Sequence, residues 1–416
     1  MPTPSQIVFL KQVFLHAITA FGGPQGHIGM ILKRFVEQHG FLTEAELFEY
    51  NNFCQILPGP SSTQLITIIG YKVGGTRLAL LTLLIWILPA TFLMGLFSFT
   101  IIHFSNQSTT LNHFRFLQPM AIGFIIYSSI RAYKLYINNT ITTIIMLFSA
   151  GLIIYFFALP WIIPILFLTG GIVTNFSKKR FPSKSVNSKI SFKWKYLILF
   201  FTIFIVLGSL SEISRKQQWS EKKLLNLSEN FYRFGTIVFG GGDVLLPMLM
   251  DQYVQRPTIK KIQQRNPNII KVQKDELLTG YGFVRAIPGP VFSVSAFVGG
   301  ISFKDRPSSI QLLGILTATI SIFLPGVLLV FFAFPIWQSL KENVYITRSF
   351  EGVGSVTVGL LIGTCLFLLK DYFTVNTTTD QLLNLGIIAL TVLITTKTKI
   401  PPPVLVLLCL LLGFII

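Results

Sequence analysis

The sequence predicts an all-α polytopic membrane protein of about thirteen transmembrane segments, two homologous halves in inverted topology with broken helices, and three observations predict it. Hydrophobic residues fill 51% of 416 positions and charged residues only 12%, which excludes an ordinary soluble domain. Apolar runs close to the ~20 residues that cross a bilayer recur along the whole chain. An unusual pair of motifs occurs twice: Phe21-Gly22-Gly23-Pro24 with Pro58-Gly59-Pro60, then Phe239-Gly240-Gly241-Gly242 with Pro288-Gly289-Pro290.

Taken in order, the runs are 7–22, 51–70, 78–102, 116–133, 141–158, 160–176, 196–211, 232–250, 277–300, 309–337, 350–369, 383–396 and 403–416. The first holds Lys11 and His16 and lacks a small-residue cleavage site behind a charged start, so it reads as a retained helix. The motif copies are offset by 218 at the glycine clusters, 230 at the Pro-Gly-Pro turns and 236 at Gly123 and Gly359. We therefore divide the chain into an N-terminal repeat (1–176), a basic cytoplasmic linker with one connecting segment (177–230) and a C-terminal repeat (231–416). An odd number of crossings between equivalent points inverts the second copy, the arrangement in which two sets of broken helices share one midplane site. A duplication kept only for packing is the alternative.

A net charge of +18 suggests a nucleic-acid partner, but the basic residues sit mainly in short connections, where the positive-inside rule accounts for them. Lys178, Lys179, Arg180, Lys184, Lys189, Lys193 and Lys195 place the linker in the cytoplasm. Cys54, Cys365 and Cys409 follow no disulfide or metal spacing, and no cofactor is expected. Leu159-Pro160 and Ile400-Pro401-Pro402-Pro403 read as turns within apolar hairpins, and the polar insertion 251–276 carries no assigned chemistry.

Glycine and proline inside a helix cost about 1 and 3 kcal/mol relative to alanine, so matched clusters within apolar runs mark breaks. After Pro-Gly-Pro a helix can restart with the second proline at its first position. Its free N–H groups and dipole then favour an anion. Hydroxyls follow both turns, Ser61, Ser62 and Thr63 in one copy and Ser293 and Ser295 in the other, as caps or as donors to an oxyanion. Gln55 and Arg285 are equivalent, one turn before each break, and a guanidinium suits bidentate oxyanion binding. Asp243 is either a proton carrier or the fixed partner of Arg285. His27, one turn past the first break, titrates in a range that suits proton coupling, or is a structural hydrogen-bonded residue. Glu46 and Glu276 read as solvated charges at helix starts. No phosphate-binding loop of the nucleotide type occurs.

At these residues the chain resembles the chromate ion transporter family, in its long form with two fused halves. The match rests on Phe21-Gly22-Gly23-Pro24 with His27, Leu57-Pro58-Gly59-Pro60 followed by Gly70-Tyr71 and Gly74-Gly75, Phe239-Gly240-Gly241-Gly242 with Pro247, and Gly280-Tyr281-Gly282 leading into Pro288-Gly289-Pro290. The resemblance implies a secondary transporter of chromate, often an exporter, with sulfate as a related anion and coupling to protons or membrane potential. The expected substrate site comprises Gly22, Gly23, Pro24, Gln55, Pro58, Gly59, Pro60, Ser61, Ser62, Gly240, Gly241, Gly242, Arg285, Pro288, Gly289, Pro290 and Ser293, with His27 and Asp243 for protons. The sequence departs from the family pattern at Asp243, Arg285 and Gln64, where histidine, glutamine and an acidic residue are usual. Expected partners are the oxyanion and the bilayer in the plasma membrane, with a homodimer left open. The rival readings are an uncoupled anion channel and, from another class, an intramembrane enzyme acting on lipid phosphates.

Overall fold

Proline and glycine clusters break the chain where they stand, and the apolar arms on either side fold back on each other. A computed structural model describes residues 3–21, 23–105, 114–156, 162–176, 193–239, 242–266, 269–337, 344–375, 378–398 and 400–415. The first half supplies α1 (Pro4–Thr19), α2 (Gly23–Ile31), α3 (Glu44–Ile56), α4 (Ser61–Ser105), α5 (Leu117–Tyr136), α6 (Thr140–Phe156) and α7 (Ile162–Asn175). Helix α8 (Trp194–Lys216) connects the halves. The second supplies α9 (Lys222–Ile237), α10 (Leu245–Leu249), α11 (Lys260–Arg265), α12 (Lys274–Phe283), α13 (Val294–Ile301), α14 (Ser308–Ala333), α15 (Val344–Val375), α16 (Thr378–Lys397) and α17 (Pro402–Ile415). Among the described residues no strand occurs.

Helix α1 starts from a capping box between Thr3 and Gln6 and stops at Ala20, whose backbone is extended. The chain then reverses, and the Phe9 ring meets Phe35 at 5.7 Å and Phe41 at 5.1 Å. Helix α3 starts from a second capping box, Thr43 with Glu46, and ends at Leu57 (φ −84°, ψ 144°) because a residue before proline is pushed out of the helical region. Past Pro-Gly-Pro the chain turns back again, bringing Lys72 Nζ within 2.6 Å of Glu46 Oε2. A segment crossing the bilayer separates its ends by ~30 Å, so 44–73 is a doubled-back hairpin with its tip at Gly59.

Helix α4 is itself folded at Gly74 (φ −155°, ψ 24°) and Gly75 (φ 70°, ψ −163°). Trp86 Nε1 donates to Thr63 Oγ1 at 3.1 Å, although 23 residues of straight helix would span ~35 Å. The second half repeats the design. Phe231 lies 5.9 Å from Tyr253, α12 opens with a capping box of Gln273 and Glu276, and Lys304 Nζ reaches Glu276 Oε1 at 2.7 Å. Even the π-helical turns recur, at Leu32–Glu37 and Met250–Gln255. Glu46 and Glu276, read as solvated charges, thus join helix start to lysine in each copy.

Runs 7–22, 51–70, 232–250 and 277–300 are therefore hairpin arms. Four helices are long and apolar enough to cross, Ser61–Ile101, Trp194–Lys216, Ser308–Ile336 and Arg348–Lys370, the first containing the Gly74 fold; shorter apolar helices accompany them. Helices of the two halves interlock, α15 lying on α6 and α7 and α5 on α16. Gly123 and Gly359 make this possible: a Cβ would stand 2.7 Å from Thr391 Cβ at the first and 2.5 Å from the Met146 carbonyl at the second.

Candidate functional site

The hairpin tips meet each other and exchange backbone hydrogen bonds between the halves. Gly59 N–H donates to the Val238 carbonyl at 2.7 Å, and Gly289 N–H donates to the Ala20 carbonyl at 2.9 Å. Both glycines sit at positive φ, 117° and 113°, which side chains rarely adopt. A Cβ on Gly59 would stand 3.3 Å from Gly326 Cα, and one on Gly289 would stand 2.8 Å from Ala90 Cβ. Ala90 and Gly326 are themselves equivalent, each following the proline of Leu88-Pro89 and Leu324-Pro325. Gln64 Nε2 closes the first tip by donating to the Pro58 carbonyl at 2.7 Å.

Between the tips lies a small cavity lined by His27, Pro60, Ser61, Ser62, Gly242, Pro290, Val291 and Phe292. It draws on both halves and on both kinds of break. The prolines do not occupy the first helical position, as the sequence suggested, but the cap position before it. Pro60 O accepts from Gln64 N at 2.9 Å, and Pro290 (φ −75°, ψ 134°) is extended. Proline has no side-chain acceptor, so the first-turn N–H groups receive no cap from it. Among the described residues the buried hydroxyls of Ser61, Ser293 and Ser295 find no hydrogen-bond partner, whereas Thr63 is engaged by Trp86. Buried polar groups without partners are rare and call for a ligand or water.

The structure brings His27, Pro60, Ser61, Ser62, Gly242 and Pro290 to the cavity wall, with Pro58, Gly59, Pro288 and Gly289 forming the tips and Ser293 in the turn behind Phe292. Gly23 and Pro24 open α2. Gln55 and Arg285 do not line it. The Arg285 guanidinium donates to Tyr281 Oη at 2.7 Å and lies over the rings of Tyr281 (5.1 Å) and Phe124 (5.4 Å), toward α5. Gly22, Gly240, Gly241 and the side chain of Asp243 lie outside the described residues, and with them the expected pairing of Asp243 with Arg285. His16 was passed over. It stacks on Trp86 at 5.0 Å and stands 6.1 Å from the His27 ring. Its signal was a histidine within an apolar run, used only to argue against a leader peptide.

A duplicated, all-helical, multi-pass architecture whose broken helices converge on one small cavity defines a membrane transport protein. The chromate transporter family model matches residues 7–174 and 225–414, and the chain belongs to that family. It is 22% identical over 359 residues to an uncharacterized transporter of Methanocaldococcus jannaschii, covering 86% of this chain and 83% of the relative. It is 23% identical over 364 residues to a probable chromate transport protein of Synechococcus elongatus, covering 86% and 84% respectively. No solved structure matches.

Proposed function

We propose that the chain is a secondary active transporter of a tetrahedral oxyanion, chromate with sulfate as a related substrate, that exports its substrate and is coupled to protons or membrane potential. The observation that carries this reading is the cavity at the tips, where uncapped helix starts and the unpartnered Ser61 hydroxyl face one small space. Such a site takes an oxyanion through N–H and O–H donors without a charged side chain at contact. Chromate comes from the family and from the name of the Synechococcus relative.

In this reading the two halves lie inverted in the bilayer. Along residues 76–105 the first pair of hairpins opens beside Ala79, near Gly70; the tips meet beside Ala90; and Gly300, at the open end of the second pair, faces Ser98. Residues 76 to 98 cover about 33 Å of helix, roughly one bilayer core. The open ends then face opposite sides, and nine crossings with four re-entrant hairpins replace the thirteen of the sequence reading. Arg285 acts at a distance, adding positive field while pinning α12 to α5.

Uptake of labelled sulfate and chromate into proteoliposomes, with and without imposed pH gradient and potential, tests this. Accumulation against the anion gradient is expected. Flux that only follows the anion's own gradient makes the protein a channel, and no flux of either anion removes the substrate assignment.

A further inference from the structure

We propose that His16 and His27 form a buried imidazole pair holding one coupling proton, His27 facing the substrate cavity and His16 storing the proton behind it. This rests on the cavity being the oxyanion site.

Both residues are buried, at 0% and 1% exposure, and among the described residues none of their four ring nitrogens makes a well-formed hydrogen bond. Among the described residues, the backbone group that meets the His27 ring is the Ala20 carbonyl, already bonded to Gly289 N–H. The two rings are 6.1 Å apart, and Trp86 holds both, stacked on His16 at 17° and edge-on to His27 at 5.2 Å. One intervening water or a ring rotation spans that separation.

The duplication supplies the control. Shifted by the repeat offsets, His16, His27 and Trp86 correspond to Phe234, Leu245 and Ile322, which are also buried, at 2%, 0% and 0%. The fold therefore needs only apolar volume at these places. Two imidazoles in one copy alone are chemistry that packing does not demand.

Among the described residues, the charged and titratable groups facing His16 are His27 from α2 and Arg34 from the π-helical turn, with Phe35 and Trp86 packed beside it. An added proton gains no counter-charge from either. A dianion in the cavity beside His27 supplies one, so anion and proton raise each other's affinity by the same factor. Dianion and proton together carry one negative charge, which an inside-negative potential still drives outward.

The test is the number of protons moved per sulfate in proteoliposomes carrying an internal pH dye, for wild type and His16→Phe, which copies Phe234. We expect about one proton per sulfate in wild type and a ratio at least tenfold lower in H16F. An unchanged ratio in H16F overturns the role of His16. Sulfate movement without protons in wild type overturns the pair while leaving the oxyanion site standing, whereas no flux of sulfate or chromate removes the site itself. Should H16F fail to fold, H16Q is read by the same ratio.

Discussion

At the residue scale, stability and binding separate at the hydroxyls behind the tips. Ser61 Oγ is buried on the cavity wall and, among the described residues, has no hydrogen-bond partner, an arrangement that costs about 1–3 kcal/mol in an empty site. Ser61→Ala removes that cost, so Tm in detergent should hold or rise. A hydrogen bond to a charged group contributes about 1.5 kcal/mol or more, so sulfate affinity should fall roughly tenfold or more. Thermal unfolding and titration calorimetry on the same preparation read both signs, and a lower Tm with unchanged affinity would make Ser61 structural. The tip glycines behave in the opposite way. Gly59→Ala and Gly289→Ala force a side chain to φ near 115° and onto Gly326 or Ala90, so each should lose about 1–3 kcal/mol of stability and transport together.

At the element scale, each of the two Pro-Gly-Pro hairpins is closed by an ion pair between the third residue of its first arm and a lysine at the end of its second. The pairs differ in burial: side-chain exposure is 31% and 34% for Lys72 and Glu46 but 28% and 6% for Lys304 and Glu276. Glu276→Gln leaves Lys304 facing a buried amide and should cost about 3 kcal/mol. Glu46→Gln at the more exposed site should cost less than about 1 kcal/mol. The hydrogen bond from Lys72, with that from the Thr43 backbone, holds the Glu46 carboxyl below the ordinary carboxylate range. Its contribution is complete above the unfolded value of about 4.3 and disappears as pH falls through the lower folded value. Denaturation of wild type and E46Q should therefore converge in acid and separate above about pH 4.5; curves parallel at every pH would remove the pair from the stability of the hairpin.

The duplication and the breaks were legible in the sequence because glycine and proline at matched offsets act through backbone conformation, which is local. What was not legible depends on contacts between distant residues. Nothing near Arg285 announces that Phe124 and Tyr281 turn it toward α5, and the proline at the cap differs by one residue from the proline at the first helical position. His16 was visible but mute, since its meaning lies in Phe234 standing at the equivalent place.

At the scale of the whole molecule, doubled-back hairpins and single crossings give opposite accounts of which loops see which side. With the linker 177–192 in the cytoplasm, thirteen crossings put His39 outside and Lys261 inside. Four re-entrant hairpins and nine crossings reverse both, because each hairpin returns the chain to the face it left. Both residues are exposed, and Cys54, Cys365 and Cys409 are buried, so single cysteines at 39 and 261 should react against a low background. An impermeant maleimide applied to intact cells should label Lys261→Cys and spare His39→Cys, while inside-out vesicles reverse the pattern. Arg77→Cys and Asp305→Cys fix the orientation, since both accounts place 77 inside and 305 outside. Labelling of position 39 from outside would restore thirteen crossings and separate the contact of Glu46 with Lys72 from the membrane-embedded state. Labelling of 261 and 305 from one face, with 39 and 77 from the other, would require the two halves to open in opposite directions, and with it a cavity that each side reaches in turn.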